Sequence, residues 1–191
     1  ASTIELEPGL PARGDTFAQA SRAGNDALRA LVREAVSPRS GERVLELYAG
    51  SGNFTRDLLA AGAQVTASDS HPPPVLRLPL ASLGVAQDER GSGAARFLVG
   101  GAAAVTRDLV GRGDRFDAVL LDPPRTGARD VVGELAAFGP ARVVYVSCDP
   151  ATFARDAEHL VASGFAPRWA QALDLMPQTA HVELVARFDR T

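Results

Sequence analysis

The sequence contains no lysine, so all 20 of its basic residues are arginine. Against 23 acidic residues they leave a formal charge of -3. A surface that holds phosphate by mass of positive charge is therefore not expected, because counterion release needs an excess of cations. Arginine can still grip a phosphate through paired N–H groups and stack on a base, so a local nucleic-acid site stays open. Cysteine occurs once, at Cys148. That excludes an intrachain disulfide and a cysteine-rich metal cluster, fits a reducing compartment, and singles out one thiol. No apolar run reaches the roughly 18 residues of a membrane helix, so no membrane partner is expected. No basic stretch followed by an apolar one opens the chain, so no secretory signal is expected and the assignment is cytoplasmic. Repeats of about 20–50 residues and low-complexity tracts are also missing.

What is present fits one domain of ordinary size. The 191 residues are 46% apolar and 23% charged, enough to bury a core without covalent staples. The expected unit is residues 1–191, with 1–16 as an extended N-terminal segment. The first residue is Ala1 rather than Met, which raises the expectation of a fragment of something longer. From Phe17 the apolar residues follow helical spacing to Ala35, before Pro38. Short apolar strands are expected at Arg43–Leu47, Gln64–Ser68, Ala95–Val99, Phe116–Leu121 and Arg142–Ser147. Helices are expected at Phe54–Ala61, around Arg129–Phe138, and from Ala151 to Ala162, the last stopped by Gly164. Pro72–Pro74 suit a first helical turn. Arg168–Leu175 and Val182–Phe188 should pair as a closing antiparallel hairpin. Near-continuous apolar strands alternating with helices give an α/β fold with a mostly parallel sheet covered on both faces. Ligands bind at the carboxyl ends of such strands, beside the switch point, and Glu46, Tyr48, Asp69, Asp122 and Cys148 all fall there.

Four motifs carry chemistry. In Leu45–Phe54, Gly50 and Gly52 allow a tight turn and close backbone approach to a ligand. Asp69 lies 17 residues beyond Gly52, where a second-strand acid can accept both hydroxyls of a ribose. An adenosine-type cofactor is preferred to a plain strand-to-helix turn. Leu121-Asp122-Pro123-Pro124-Arg125 is a stiff loop that can hold a carboxylate against a planar ring. Arg125 stands where enzymes that methylate exocyclic amines carry an aromatic residue, which argues against that chemistry. Val146–Asp156 places Cys148 just before a helix N-terminus, whose dipole and free amides should lower the thiol pKa. A lone cysteine after a buried strand is more often structural, but its place beside Asp122 favours a nucleophile. Met176–Glu183 ends on His181 and Glu183, two residues apart on one strand face. An acid on an edge hairpin near a chain end is usually a solvated charge.

Together and in this order, the motifs resemble the RNA 5-methyluridine methyltransferases, the uracil-C5 enzymes of transfer and ribosomal RNA. The similarity runs from about Phe17 to Phe188, and is most specific in Ser147–Asp156 and Pro177–Glu183. The resemblance implies a Rossmann-like class I methyltransferase fold, a seven-stranded sheet with a C-terminal antiparallel hairpin. It implies S-adenosylmethionine as cofactor and an RNA substrate, ribosomal favoured slightly over transfer. Cys148 would add to carbon 6 of uracil and Glu183 would remove the carbon-5 proton. Gln19, Tyr48, Gly50, Asn53, Asp69 and Asp122 would hold the cofactor, and no metal is implied. The target base must leave its stack to reach the thiol. The sequence departs from the family pattern at Ser21, where Asn is usual, at Gly100 and Gly101, and in the proline run after Asp69. The family's usual N-terminal RNA-binding domain is not found, so a separate or missing RNA-binding module is expected, with the chain itself monomeric. Two alternatives stay open: a cytosine-C5 RNA methyltransferase, and a non-catalytic module that binds cofactor or RNA.

Overall fold

A computed structural model describes residues 3–7, 10–13, 22–71, 94–175 and 182–191, the first two stretches as backbone. The described residues of the N-terminal segment are two strands. Its strands β1 (Thr3–Glu7) and β2 (Leu10–Arg13) pair antiparallel as a separate two-stranded sheet. Then follow α1 (Arg22–Val36), β3 (Arg43–Leu47), α2 (Thr55–Ala60), β4 (Gln64–Asp69), β5 (Ala95–Val99) and α3 (Ala102–Gly111). The rest comprises β6 (Ala118–Leu121), α4 (Arg129–Val132), a 3-10 turn (Leu135–Phe138), β7 (Arg142–Ser147), α5 (Pro150–Ala162), β8 (Phe165–Leu173) and β9 (Glu183–Arg190). The expected helix over Phe17–Ala35 is described only from Arg22, and Pro72–Pro74 lie outside the described residues.

Seven strands form one sheet in the order β5-β4-β3-β6-β7-β9-β8, all running the same way except β9, which pairs antiparallel with both β7 and β8. The chain runs outward from β3 through β4 to β5, then returns to lay β6 on the other side of β3. The switch point therefore lies between β3 and β6, with Asp122 N–H donating to the Leu47 carbonyl across it at 3.4 Å. Alternation along the strands divides the core in two. Val44, Val65, Ala67, Leu120, Val144, Val146 and Val185 face α1 and α2. Leu45, Leu47, Val119, Leu121, Val143, Tyr145 and Phe188 face α3, α4 and α5. β6 is buried at all four positions, as a central strand covered on both faces must be.

Three expectations need correction. The helix expected over Arg129–Phe138 is broken into α4 and a 3-10 turn, with Gly133 closing α4 and Gly139 in the left-handed region after the second. The strand expected from Phe116 begins two residues later, because Phe116 packs edge-on against Phe138 and Asp117 pairs with the start of β3 instead. The hairpin's second strand is also not an edge: β9 lies between β7 and β8. The helix α3 had no counterpart in the sequence reading. Among the described residues no helix is long and apolar enough to cross a membrane, and no group of acids, histidines and cysteine is arranged to hold a metal.

Candidate active site

The carboxyl ends of β6 and β7 and the start of β9 lie side by side, and each delivers one reactive group. β6 ends at Leu121, so Asp122 is the next residue; β7 ends at Ser147, so Cys148 follows. β7 and β9 pair antiparallel with Ser147 opposite Leu184. One further step along both strands sets Cys148 against Glu183, which also pairs with Leu173 of β8. Glu183 shares the face of Val185, and Cys148 that of Val144 and Val146, by the same two-residue alternation.

The electrostatics show these groups within reach of one another. Burial raises the Asp122 carboxyl to about 7, and the charge of Glu183 adds to it. Burial also raises Glu183, opposed by Arg125. Glu183 is only 6% exposed, not the solvated charge expected of an edge, because strands flank it on both sides. The half-buried Cys148 thiol is raised first by burial and next by Glu183, with Arg125 pulling it down and Asp122 adding a smaller upward push.

The expected lowering of the thiol by the helix N-terminus is not found. The amides that would stabilise a thiolate are taken by Asp149. Its Oδ1 accepts from Ala151 N–H at 3.0 Å and Thr152 N–H at 2.9 Å, capping α5 and leaving the dipole to serve a neighbouring carboxylate. Ser147 Oγ accepts from Asp149 N–H at 3.2 Å and donates to the Asp149 carbonyl at 3.0 Å, which fixes the turn that presents Cys148.

A second set of residues surrounds the glycine loop beside β3. Tyr48 adopts a left-handed backbone at φ 64° and Gly50 another at φ 53°. A side chain added at Gly50 would meet nothing within 4 Å, so the loop opens onto free space. The Asp69 carboxylate ends β4 beneath it. Its Oδ2 accepts from Gly50 N–H at 3.0 Å, and its Oδ1 accepts from His71 N–H at 3.0 Å and Ser70 Oγ at 3.4 Å. Asn53 makes a reciprocal amide pair with Asn25 of α1, at 2.8 and 3.1 Å. The turn at Tyr48 sends its ring to the α5 face of the sheet. Burial there pushes its hydroxyl up to about 12, helped by Asp156 and Asp130. Gln19, Ser21 and His181 lie outside the described residues.

Sequence reasoning placed Glu46 at the strand end but gave it no role. It is 1% exposed; its Oε2 accepts from Thr55 Oγ1 at 2.6 Å, and its Oε1 is buried without a partner. Burial raises it to about 8, Thr55 opposes, and Asp122 adds to the rise. Arg125 was read only as a missing aromatic, yet its charge acts on Cys148, Asp149 and Glu183 together. The two prolines before it were the available signal, since they aim the next side chain rigidly from the end of β6.

Residues 107–190 match the family model of tRNA (Uracil-5-)-methyltransferase. The 23S rRNA (uracil(1939)-C(5))-methyltransferase RlmD of Pseudomonas fluorescens (strain Pf0-1) is 40% identical over 180 residues, 94% of this chain and 38% of that protein. The enzyme of the same name from Thiobacillus denitrificans is 40% identical over 183 residues, 95% of this chain and 41% of that one. Among solved structures, the Pyrococcus abyssi tRNA (uracil-54, C5)-methyltransferase in complex with S-adenosyl-L-homocysteine superposes with a TM-score of 0.74 at 32% identity, covering 91% of this chain and 40% of its own. A Burkholderia thailandensis N1-methyltransferase shares the fold at 17% identity, with a TM-score of 0.65 over the whole of both chains. The sheet is therefore that of the S-adenosylmethionine-dependent methyltransferases. The chain spans about two fifths of the length of the curated relatives it matches, and over that length it is similar to RNA uracil-C5 methyltransferases.

Proposed function

We propose that the chain is the catalytic part of an enzyme that methylates carbon 5 of a uridine in RNA, ribosomal RNA before transfer RNA, with S-adenosylmethionine as donor. The observation that carries the proposal is the meeting of one half-buried thiol, two acids of raised pKa and one arginine at the carboxyl end of β6 and β7, beside the start of β9. The ribosomal preference is supported by the two 23S enzymes reported above.

The residues present fit the donor. The space beyond Gly50 admits a ligand against bare backbone, and Asp69 stands at the strand end with lone pairs left to receive ribose hydroxyls. Asp122, with no hydrogen bond to its carboxylate among the described residues, has its pKa raised to about 7; a cationic neighbour would draw it back toward the ionised form. Gly50, Asp69 and Asp122 would hold the donor, with the backbone at Tyr48, the Asn53 amide and, by resemblance, Gln19. When bound, S-adenosylmethionine supplies the methyl group that carbon 5 accepts.

The chain's own residues do the rest. Carbon 5 of uracil is too weak a nucleophile unaided. The Cys148 thiolate, its proton released to solvent, bonds to carbon 6, and the electron pair of the ring double bond moves toward the carbon-4 carbonyl. Carbon 5 becomes enolate-like and reactive. After methylation, Glu183 takes the carbon-5 proton; that electron pair re-forms the double bond, and the bond from Sγ to carbon 6 breaks to return the thiolate. A carboxylate raised by burial suits this task. Arg125 offsets part of the cost of holding a thiolate beside two acids. Incubation with RNA containing 5-fluorouridine plus donor tests the proposal. Fluorine cannot leave as a proton does, so the adduct should persist on a denaturing gel. Methylation of ordinary uridine RNA with no trapped adduct would remove the covalent route; neither product would remove the whole reading.

A further inference from the structure

The third motif runs past Cys148 to Arg155 and Asp156, and the reaction above uses neither. Asp156 is 0% exposed, yet both its oxygens are fully engaged. Oδ2 accepts from the Ala128 N–H at 2.6 Å and the Tyr145 hydroxyl at 2.7 Å. Oδ1 accepts from Arg155 Nε at 2.9 Å and Nη2 at 2.7 Å. The same Nη2 donates to the Thr126 carbonyl at 3.0 Å. Between these anchors, Gly127 has φ 78°, and a Cβ there would sit 2.5 Å from Arg155 Nη2 and from Asp156 Oδ2. Three consecutive loop residues, Thr126, Gly127 and Ala128, are thus locked onto α5.

That loop starts at Asp122 and carries Arg125, while α5 starts two residues after Cys148. At its near end the loop is fixed by β6, and Pro123 and Pro124 stiffen it. At its far end it is fixed by Asp156. Tyr145, the third donor, stands on β7 three residues before the thiol. A buried carboxylate is a costly way to hold a loop unless every lone pair is used, and apolar packing would hold it more cheaply. What a saturated polar cluster adds is one defined geometry.

We infer that Asp156 and Arg155 are positioning residues, a clasp that sets the loop bearing Asp122 and Arg125 against Cys148 for the covalent step. The inference rests on the function proposed above. Its test compares Asp156→Asn, Gly127→Ala and Arg155→Lys with the parent chain. Arg155→Lys leaves the buried acid in place and keeps the question answerable if the other two do not fold. Amide hydrogen exchange of the 122–128 segment should speed up by about tenfold or more while that of β3 and β4 changes by less than about twofold. The kcat for methyl transfer should fall by about tenfold, with KM for RNA within about twofold, because an interaction used in the covalent step is lost rather than one used in binding. Exchange that rises equally throughout the sheet, or a loosened loop with unchanged kcat, would overturn the inference. A parent chain that transfers no methyl group would sink the proposed function instead, and the exchange measurement would still decide whether the clasp holds the loop.

Discussion

Glu46→Gln should change how stability depends on pH, and the structure gives the size of the change. Glu46 lies under the glycine loop with one oxygen bonded to Thr55 and the other without a partner. Burial lifts its pKa from 4.5 to about 8. A raised acid favours the protonated form in the folded chain. Its contribution to stability is therefore complete below about pH 4.5 and is lost as the pH rises through about 8. Across that window the loss is on the order of 3–5 kcal/mol. Glutamine keeps an acceptor for Thr55 and does not titrate, but places an amide NH2 where no partner stands, at a cost of about 1–3 kcal/mol. The variant should therefore be the less stable protein at pH 5 and gain on the parent steadily toward pH 8.5. Urea unfolding followed by circular dichroism at pH 5, 6.5 and 8.5 measures this, since groups common to both chains cancel in the difference. A difference that stays constant within about 1 kcal/mol over that range would refute the placement of a protonated acid at this position.

Three further outcomes follow from the site. Asp69→Ala should weaken binding of S-adenosylhomocysteine by roughly 1.5–3 kcal/mol, and calorimetry showing unchanged affinity would remove Asp69 from the cofactor site. Alkylation of Cys148 should be half-maximal at higher pH in the folded chain than in urea, because burial raises the thiol. Arg125→Ala should move it higher still, and a folded midpoint below the unfolded one would contradict this. Finally, 20 basic against 23 acidic residues should give the chain weak RNA binding with a shallow dependence on salt; a steep salt slope would reveal a basic patch that composition conceals.

Much of the scaffold was legible because its strands are covered on both faces. Arg43–Leu47 and Arg142–Ser147 appear in the structure with the bounds that their apolar runs imply, since a parallel strand buried on both faces is mostly apolar. The helix α3 was not legible: it opens on Gly101 with no capping side chain and begins with three alanines, so neither a start signal nor a clear apolar stripe marks it. The candidate nucleophile and base were legible as motif residues, but their environment was not. Glu183 is buried because β8 wraps outside β9, and strand order is a tertiary fact. The thiol is raised by burial and by Glu183, and Asp149, the very next residue, captures the helix amides that the motif alone would give to sulfur. Asn53 could be read as a polar group in a ligand loop, but its amide pairs with Asn25, 28 residues away, a contact no local pattern encodes.

The central claim is that Cys148 opens the reaction and Glu183 closes it, and a denaturing gel of the two variants with labelled uridine RNA and donor tests it most directly. Cys148→Ala should show no covalent RNA species and no methyl transfer, because no bond to carbon 6 can form. Glu183→Gln should still permit addition and methylation but not elimination, so a methylated covalent complex should accumulate without turnover. The two inactive variants would then look opposite on one gel. Normal turnover by Glu183→Gln, or an adduct formed by Cys148→Ala, would contradict the account.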